Sequence, residues 1–152
     1  MRTISVFVVG LLLAVVLGGA PVSAYNGIEL SYASVGNFTL VDQNNSEYKL
    51  SDATEEIVVV SFFFTRCPDV CPVITQNLKL VHDTLPEELE DNVGFVAITL
   101  DPKYDTPEVL AEYMARHGVD WPHLTGPTED VKDVWSRFAI FAEEYVTDAH
   151  DD

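Results

Sequence analysis

The fold and the candidate site are both decided by residues 57–72, which read IVVVSFFFTRCPDVCP. All but one of the first eight residues are β-branched or aromatic, and no polar face alternates through them. This pattern predicts a central strand of a sheet that is covered on both sides. Cys67 and Cys71 follow the strand, and Pro72 fits the first position of a helix. The stretch therefore places two cysteines between a buried strand and a helix.

Strand patterns recur on both sides of this stretch. Residues 38–41 and 48–50 have strand composition and are separated by the turn-forming residues 42–46, which predicts a β-hairpin with a longer loop. Residues 95–100 predict a second buried strand, and residues 121–125 predict a short third one.

Helical patterns lie between these strands. The helix after the cysteines is predicted to pack through an apolar stripe and to end at Pro86. The stripe consists of Ile74, Leu78, Val81 and Leu85. Thr106 and Pro107 mark the start of a second helix that ends at Gly118, and Thr128 is predicted to cap a third. Alternating strands and helices predict an α/β fold with right-handed crossovers and a largely parallel sheet, whose carboxyl edge usually binds ligands.

The first 24 residues have the pattern of a targeting segment. Arg2 is their only charged residue, residues 4–20 (ISVFVVGLLLAVVLGGA) are apolar or small, and residues 22–24 (VSA) fit a cleavage site. The apolar run is near the lower length limit for a membrane-spanning helix. A cleaved signal peptide and a retained N-terminal membrane anchor are both consistent with this pattern. Either one places the rest of the chain on the outer face of the cytoplasmic membrane, or in a secreted or periplasm-like space.

Length and charge narrow the remaining possibilities. Residues 25–36 are interpreted as a linker, and residues 37–152 as a single domain. The chain has 25 Asp and Glu against 8 Lys and Arg, for a formal net charge of −17. A surface of this charge repels phosphate backbones, so we expect no nucleic-acid partner.

The spacing of Cys67 and Cys71 favours a chemical role over a structural one. Four positions are about one helical turn, so both sulfurs can point the same way. The start of the following helix is expected to favour the thiolate of Cys71, and Arg66 to add positive potential. Two thiolates form a soft site that selects Cu(I), and an exported pair can also form a disulfide. As a structural disulfide, the pair would add only about 2 kcal/mol to the free energy of unfolding, because the loop that it closes is short. Metal binding and redox chemistry both remain open on this ground.

The motif FFFTRCPDVCP, residues 62–72, resembles the signature of the SCO/SenC family. Thioredoxin differs, with two residues between its cysteines instead of three. Further matches follow in order at residues 99–102 (TLDP), 105–110 (DTPEVL) and 121–126 (WPHLTG). Together the resemblance covers about residues 37–142, and an ordered set of motifs is far more specific than a bare cysteine pair.

This resemblance implies a thioredoxin-like fold and a copper chaperone that serves the Cu(A) centre of cytochrome c oxidase. Cys67 and Cys71 would supply two of three copper ligands, and their disulfide would allow thiol exchange with the oxidase copper-site subunit. The protein is therefore expected to act as a metallochaperone rather than as a conventional enzyme.

The sequence departs from the family where the third ligand is expected. That ligand is a histidine in a V-D-H strand, but residues 142–152 read AEEYVTDAHDD, with nothing like that strand or the final hairpin and helix. The chain is therefore expected to be C-terminally short and to lack the last strands. His150 is the remaining candidate ligand, although its acidic surroundings resemble the variable loop before the family's ligand. Both interpretations of His150 stay open.

Other functions are compatible with the same cysteine pair, and other residues have simpler interpretations. The pair would suit a thiol–disulfide oxidoreductase of the thioredoxin class, or a redox sensor or peroxidase-like protein. His82 is predicted to be a solvated surface residue, and His117 to be a cation near a helix C-terminus. His123 is predicted to pack or hydrogen-bond at a strand end, and Asp69 to be a turn residue.

Overall fold

The computed structural model describes residues 34–142 as an α/β domain. Its elements in chain order are β1 (Thr39–Val41), β2 (Glu47–Lys49), a 3-10 turn (Leu50–Asp52), β3 (Ile57–Phe63), α1 (Val70–Asp83), α2 (Glu87–Glu90), β4 (Val93–Thr99), α3 (Pro107–His117), β5 (His123–Leu124) and α4 (Thr128–Arg137). The order of strands and main helices agrees with the sequence patterns. The 3-10 turn and the single-turn helix α2 do not follow from the sequence, because both are too short to show a period.

The strands form a hairpin and a parallel sheet. β1 and β2 pair antiparallel, with Leu40 opposite Tyr48, which confirms the predicted hairpin. β3 and β4 pair in parallel over seven residues, and β4 continues in parallel to β5. Val41 and Thr125 exchange two backbone hydrogen bonds of 2.9 Å and join the hairpin to the end of β5.

The central strand of this sheet is β4 and not β3. The order among the described residues is β3-β4-β5, so β3 has a hydrogen-bonded neighbour on one side only within residues 34–142. The prediction that residues 57–64 form the central strand is therefore wrong for this part of the chain. The prediction that this strand is covered on both sides is confirmed, because Val59 packs on one face of the sheet and Val58 and Val60 pack on the other. Burial agrees with this strand order. Five of the seven β4 residues are buried, but Phe63 is the only buried residue of β3. An apolar run predicts a strand, but its place in the sheet depends on partners elsewhere in the chain.

The two faces of the sheet carry two separate apolar clusters. Successive side chains of a strand point to opposite faces, and in β4 Phe95 and Ala97 join one cluster while Val96 and Ile98 join the other. The first cluster contains residues of α1 and α3 together with both cysteines. The second contains residues of α4 and the hairpin. The side chains of both cysteines therefore pack in the core of the domain.

Helix α1 faces the core with a different side from the one predicted. Cys71 and Thr75 are its buried residues, and Leu78 packs half-buried against the first cluster. Ile74 and Val81, which belong to the predicted stripe, are 38% and 50% exposed. The prediction of the stripe is therefore wrong for these two residues. The helix carries apolar residues on two sides, and the spacing alone cannot distinguish them.

Two of the predicted helix ends are confirmed and two need correction. The Thr106 side chain accepts a hydrogen bond from the N–H of Val109 at the start of α3, and Gly118 ends that helix with a positive φ of 66°. Thr128 does not cap α4 but is its first residue. Pro72 is the third residue of α1, where its missing N–H still costs no intrahelical bond.

No helix between residues 34 and 142 combines the length and the apolar character needed to cross a membrane.

Candidate metal centre

The cysteines lie where β3 gives way to α1, at the carboxyl edge of the parallel pair. β3 ends at Phe63, Cys67 sits in the connecting turn, and Cys71 is the second residue of α1. Both side chains are buried, with Cys67 8% and Cys71 5% exposed. The structure thus brings the two predicted ligands to one place, and both are free thiols there.

The first turn of α1 presents its backbone donors to Cys67. The N–H of Cys71 donates to the Cys67 sulfur, with N and Sγ 3.4 Å apart. The N–H groups at the start of a helix have no partner inside the helix, so they stabilise a negative charge that lies close to them. The Cys67 sulfur lies close to these groups because Cys67 precedes the helix by three residues.

The two thiols therefore differ in pKa. Burial raises the pKa of Cys67, but hydrogen bonds from the Cys71 thiol and from the backbone of Asp69, Cys71 and Val70 outweigh it and bring the pKa below its ordinary value. Burial, the hydrogen bond to Cys67 and the charges of Cys67 and Asp105 together raise the pKa of Cys71 to about 11, although a hydrogen bond with the backbone of Phe64 lowers it in part. In the metal-free pair the thiolate therefore forms more readily at Cys67 than at Cys71, and the Cys71 thiol donates a hydrogen bond to the Cys67 sulfur. The expectation that the helix favours the thiolate of Cys71 is wrong for this state.

A buried polar pair fixes the backbone of Cys71. The hydroxyl of Thr75 donates to the carbonyl oxygen of Cys71 at 3.0 Å. Because that hydroxyl has one proton, the Tyr113 hydroxyl donates to the Thr75 oxygen across their 2.9 Å contact. The sequence does not predict a role for either residue, and its only signal is a polar residue one turn after Cys71.

Arg66 is held by other residues beside the site. Its Nη2 lies 2.8 Å from Oδ2 of the buried Asp101, and its guanidinium stacks 4.3 Å from the centre of the Tyr104 ring. The positive potential predicted for Arg66 is therefore partly neutralised by a carboxylate. A cavity of about 390 Å³ adjoins this corner, lined by Thr65, Arg66, Tyr104, Val109, Glu112, Tyr113 and Arg116.

A larger cavity lies at the opposite end of the sheet. It measures about 510 Å³ and includes Val58, Val93 and Trp121 in its lining but neither cysteine. Its lining includes residues 93–96, the first half of β4, and no residue of the turn between β3 and α1, so this cavity is not part of the cysteine site.

The three histidines of the described domain are occupied in packing. His123 is 1% exposed, its Nδ1 lies 2.9 Å from the carbonyl oxygen of Trp121, and burial lowers its pKa to about 4, which confirms its packing role. The side chain of His82 is 37% exposed and lies beside the exposed Asp83, as predicted for a surface residue, but its ring also packs against Phe95 and Trp121. Burial also lowers the pKa of His117, which disfavours the predicted cation.

The remaining predicted residues add no ligand within this part of the chain. Asp69 is exposed and takes the N-cap position of α1 without a side-chain bond to the helix. Among residues 34–142, no group of three or more His, Cys, Asp or Glu is arranged to hold a metal ion. His150 lies outside the described residues. The site as described is therefore a two-sulfur site.

A parallel sheet, its crossover helices and a cysteine pair at its carboxyl edge define a thioredoxin-like domain with a thiol site. A family model described as SCO1/SenC matches residues 28–152. The SCO2-like protein of Rickettsia prowazekii is 34% identical over 116 residues, which are 76% of this chain and 56% of that protein. The chain belongs to the SCO1/SenC family.

Solved structures agree with the fold. Yeast Sco1 with copper bound superimposes with a TM-score of 0.66 at 28% identity, over 72% of this chain and 60% of that one. ScoI of Bradyrhizobium japonicum with copper bound gives a TM-score of 0.63 at 25% identity, over 70% and 67%. The chain thus spans little more than half of the Rickettsia protein and about two thirds or less of these two structures.

Proposed function

We propose that this protein binds copper through Cys67 and Cys71 and is an exported assembly factor for the Cu(A) site of cytochrome c oxidase. The observation that carries the proposal is the pairing of the two sulfurs at the start of α1, where the Cys71 N–H donates to the Cys67 sulfur and the pKa of Cys67 is lowered. Thiolate sulfur is a soft ligand that selects Cu(I). The copper-bound relatives and the description of Sco proteins as cytochrome c oxidase assembly proteins support the same function.

The site suits a metal ion whose binding displaces the proton of the Cys71 thiol. Copper binding through both sulfurs requires both as thiolates, so the Cys71 thiol, whose pKa is raised to about 11, must lose its proton, whereas the pKa of Cys67 is lowered. Arg66 and Thr75 hold the backbone on either side of the pair through Asp101 and through the carbonyl of Cys71. We therefore expect copper uptake to release protons and to weaken at low pH.

The direct test is a competition for Cu(I) between the reduced protein and a chromophoric chelator. We expect about one Cu(I) for each reduced monomer, and loss of this uptake in the Cys67→Ser, Cys71→Ser double variant. Circular dichroism checks that the double variant is folded, and His82→Ala serves as a control outside the site. A reduced wild-type protein that takes no copper from the chelator would refute the proposal.

A third ligand can be tested separately. His150 is the remaining candidate for the third ligand that the family resemblance implies, and it is compared with His82, which packs against Trp121. If His150 is a ligand, His150→Ala weakens Cu(II) binding and changes its visible spectrum, while His82→Ala changes neither. Equal behaviour of the two variants would leave Cys67 and Cys71 as the ligands within this chain.

Copper delivery and thiol reduction are two ways of serving the oxidase. In the second, the Cys67 and Cys71 thiols become a disulfide, and two electrons and two protons reduce a disulfide of the oxidase subunit. The unequal pKa values favour this alternative as well, since a thiolate attacks a disulfide and a thiol does not. Copper-loaded protein and reduced metal-free protein are each added to the oxidised copper-site subunit. New thiols on the subunit, matched by loss of the Cys67 and Cys71 thiols of the metal-free protein, identify reduction, and metal transfer to a prereduced subunit identifies delivery.

The location of the protein is a separate part of the proposal. The apolar stretch at residues 4–20 and the small residues at 22–24 support export, either with cleavage or with a retained anchor. Fractionation of cells followed by N-terminal sequencing distinguishes the two. Recovery of the full chain in the cytoplasmic fraction would refute export without affecting copper binding.

A further inference from the structure

Thr65, two positions before Cys67, is attached to the buried carboxylate of Asp105. The Thr65 N–H donates to Asp105 Oδ2 at 3.2 Å, and the Thr65 hydroxyl donates to Oδ1. The hydroxyl of Thr99, the last residue of β4, donates to Oδ2 at 2.5 Å. The carboxylate therefore connects the turn that carries Cys67 to the end of the central strand.

This carboxylate is completely buried, with 0% of Asp105 exposed. Burying an ionised group is unfavourable unless it is well hydrogen-bonded. Burial raises the pKa of Asp105, and the hydrogen bonds from Thr65 and Thr99 lower it in opposition. Burying this carboxylate costs free energy even with three hydrogen-bond donors directed at it. The start of α3 does not require it, because Thr106 already caps that helix.

The next residue toward the site is anchored to the same segment. Arg66 bonds to Asp101 and stacks on Tyr104, and both lie in the connection between β4 and α3. Within that connection, the Thr99 hydroxyl also accepts the N–H of Asp101 at 2.8 Å. Both residues that lead into Cys67 are thus held by one short segment, and this segment is fixed to β4.

We propose that Asp105 is a positioning residue for the cysteine site. It holds Thr65, and through Thr65 it fixes the turn from which the Cys67 sulfur accepts the Cys71 N–H. This inference deepens the proposed copper function and rests on it. Hydrogen bonds that orient metal ligands without touching the metal matter because they keep the ligands in place before the metal arrives.

The test compares three variants of the full chain. Asp105→Ala removes the acceptor, Thr65→Val removes one donor without changing the side chain's shape, and Thr65→Ser keeps the hydroxyl. Gly118→Ala is the control for stability, because it weakens the end of α3 away from the cysteines. Each variant is measured by Cu(I) competition and, without metal, by equilibration with glutathione.

The glutathione measurement does not depend on copper. The Cys67 and Cys71 thiols are oxidised to a disulfide, and oxidised glutathione takes up the two electrons and two protons to become two reduced molecules. The contacts of Asp105 hold the turn in the conformation that the dithiol adopts, so their loss is expected to shift this equilibrium. We expect Asp105→Ala to lower Cu(I) affinity by about 10- to 100-fold, with a smaller loss for Thr65→Val.

Four outcomes decide whether Asp105 positions the site. Loss of affinity and a shifted equilibrium in Asp105→Ala and Thr65→Val, with Thr65→Ser and Gly118→Ala at wild-type values, support it. Wild-type values in both Asp105→Ala and Thr65→Val overturn it. If Asp105→Ala does not fold, the comparison of Thr65→Val with Thr65→Ser decides. If the wild-type protein binds no copper, the proposed function fails, and the glutathione equilibrium alone decides the role of Asp105.

Discussion

The N–H of Cys71 donates to the sulfur of Cys67 across 3.4 Å, so the beginning of α1 stabilises charge on the cysteine that precedes it. Cys71 lies inside the first turn, and its own sulfur is buried beside a charged neighbour. The two cysteines of one motif are therefore chemically unequal before any metal binds. This inequality depends on where the helix begins and not on the spacing of the cysteines alone.

The unequal pKa values predict the order in which the thiols are modified. Cys67, whose pKa is lowered, should become reactive toward a small alkylating reagent at a lower pH than Cys71, whose pKa is raised to about 11. The two midpoints are obtained by mass spectrometry of the reduced protein after brief alkylation across a pH series. Comparing midpoints rather than rates separates ionisation from access. A lower midpoint for Cys71 would contradict the assignment.

The two sides of α1 predict different costs of truncation. Leu78 packs against the cluster that contains the cysteines, so Leu78→Ala should lower the free energy of unfolding by about 2 kcal/mol. Val81 lies nearly one turn further along the same helix and is 50% exposed, so Val81→Ala should change the free energy of unfolding by at most about 0.5 kcal/mol. Urea denaturation of both variants makes the comparison. Equal losses would mean that Val81 belongs to the buried stripe, as the sequence pattern predicts.

The sequence predicts best what local chemistry determines. The hairpin, the parallel crossovers and the cap at Thr106 are all evident from turn residues, apolar periods and a hydroxyl before a proline. The position of the cysteines at the carboxyl edge follows from the same order of elements. Each of these features depends on residues that are close together in the chain.

The wrong predictions concern features that distant residues decide. β3 is more apolar than β4 but lies at the edge of the sheet within residues 34–142, because β5 pairs with β4. The buried polar residues Asp105 and Thr75 bond to Thr65 and Tyr113, which lie 40 and 38 positions away, although Thr75 also bonds to the nearby carbonyl of Cys71. A single sequence contains no signal for such contacts beyond the presence of polar residues in apolar surroundings.

The left-handed backbone at Gly118 predicts a cost for any side chain there. Its φ is 66°, and an added Cβ would lie 3.8 Å from Lys79 Cε, which is an ordinary contact. Gly118→Ala should therefore cost about 1 kcal/mol of unfolding free energy from backbone conformation alone. Gly118→Asn should cost less, because asparagine adopts this conformation more readily. Thermal and urea unfolding of both variants test the order, and a larger loss in Gly118→Asn would indicate a steric cause.

The burial of His123 predicts a pH dependence of stability that this one residue causes. Its folded pKa is about 4, whereas the unfolded chain takes up the proton near pH 6.5, so protons favour the unfolded state between these values. The contribution of neutral His123 is complete above pH 6.5 and is lost as the pH falls toward 4, with a limit of about 3 kcal/mol.

His123→Gln should be less stable than wild type at pH 7, because it disrupts packing beside Trp121. The difference between variant and wild type should then narrow toward pH 4.5, since glutamine takes up no proton. Urea denaturation at the two pH values measures this difference in unfolding free energy. Comparing the two proteins cancels the contribution of carboxylates that titrate in the same pH range. A difference that stays constant would show that the His123 ring has the same pKa in the folded and unfolded chains, which contradicts its burial.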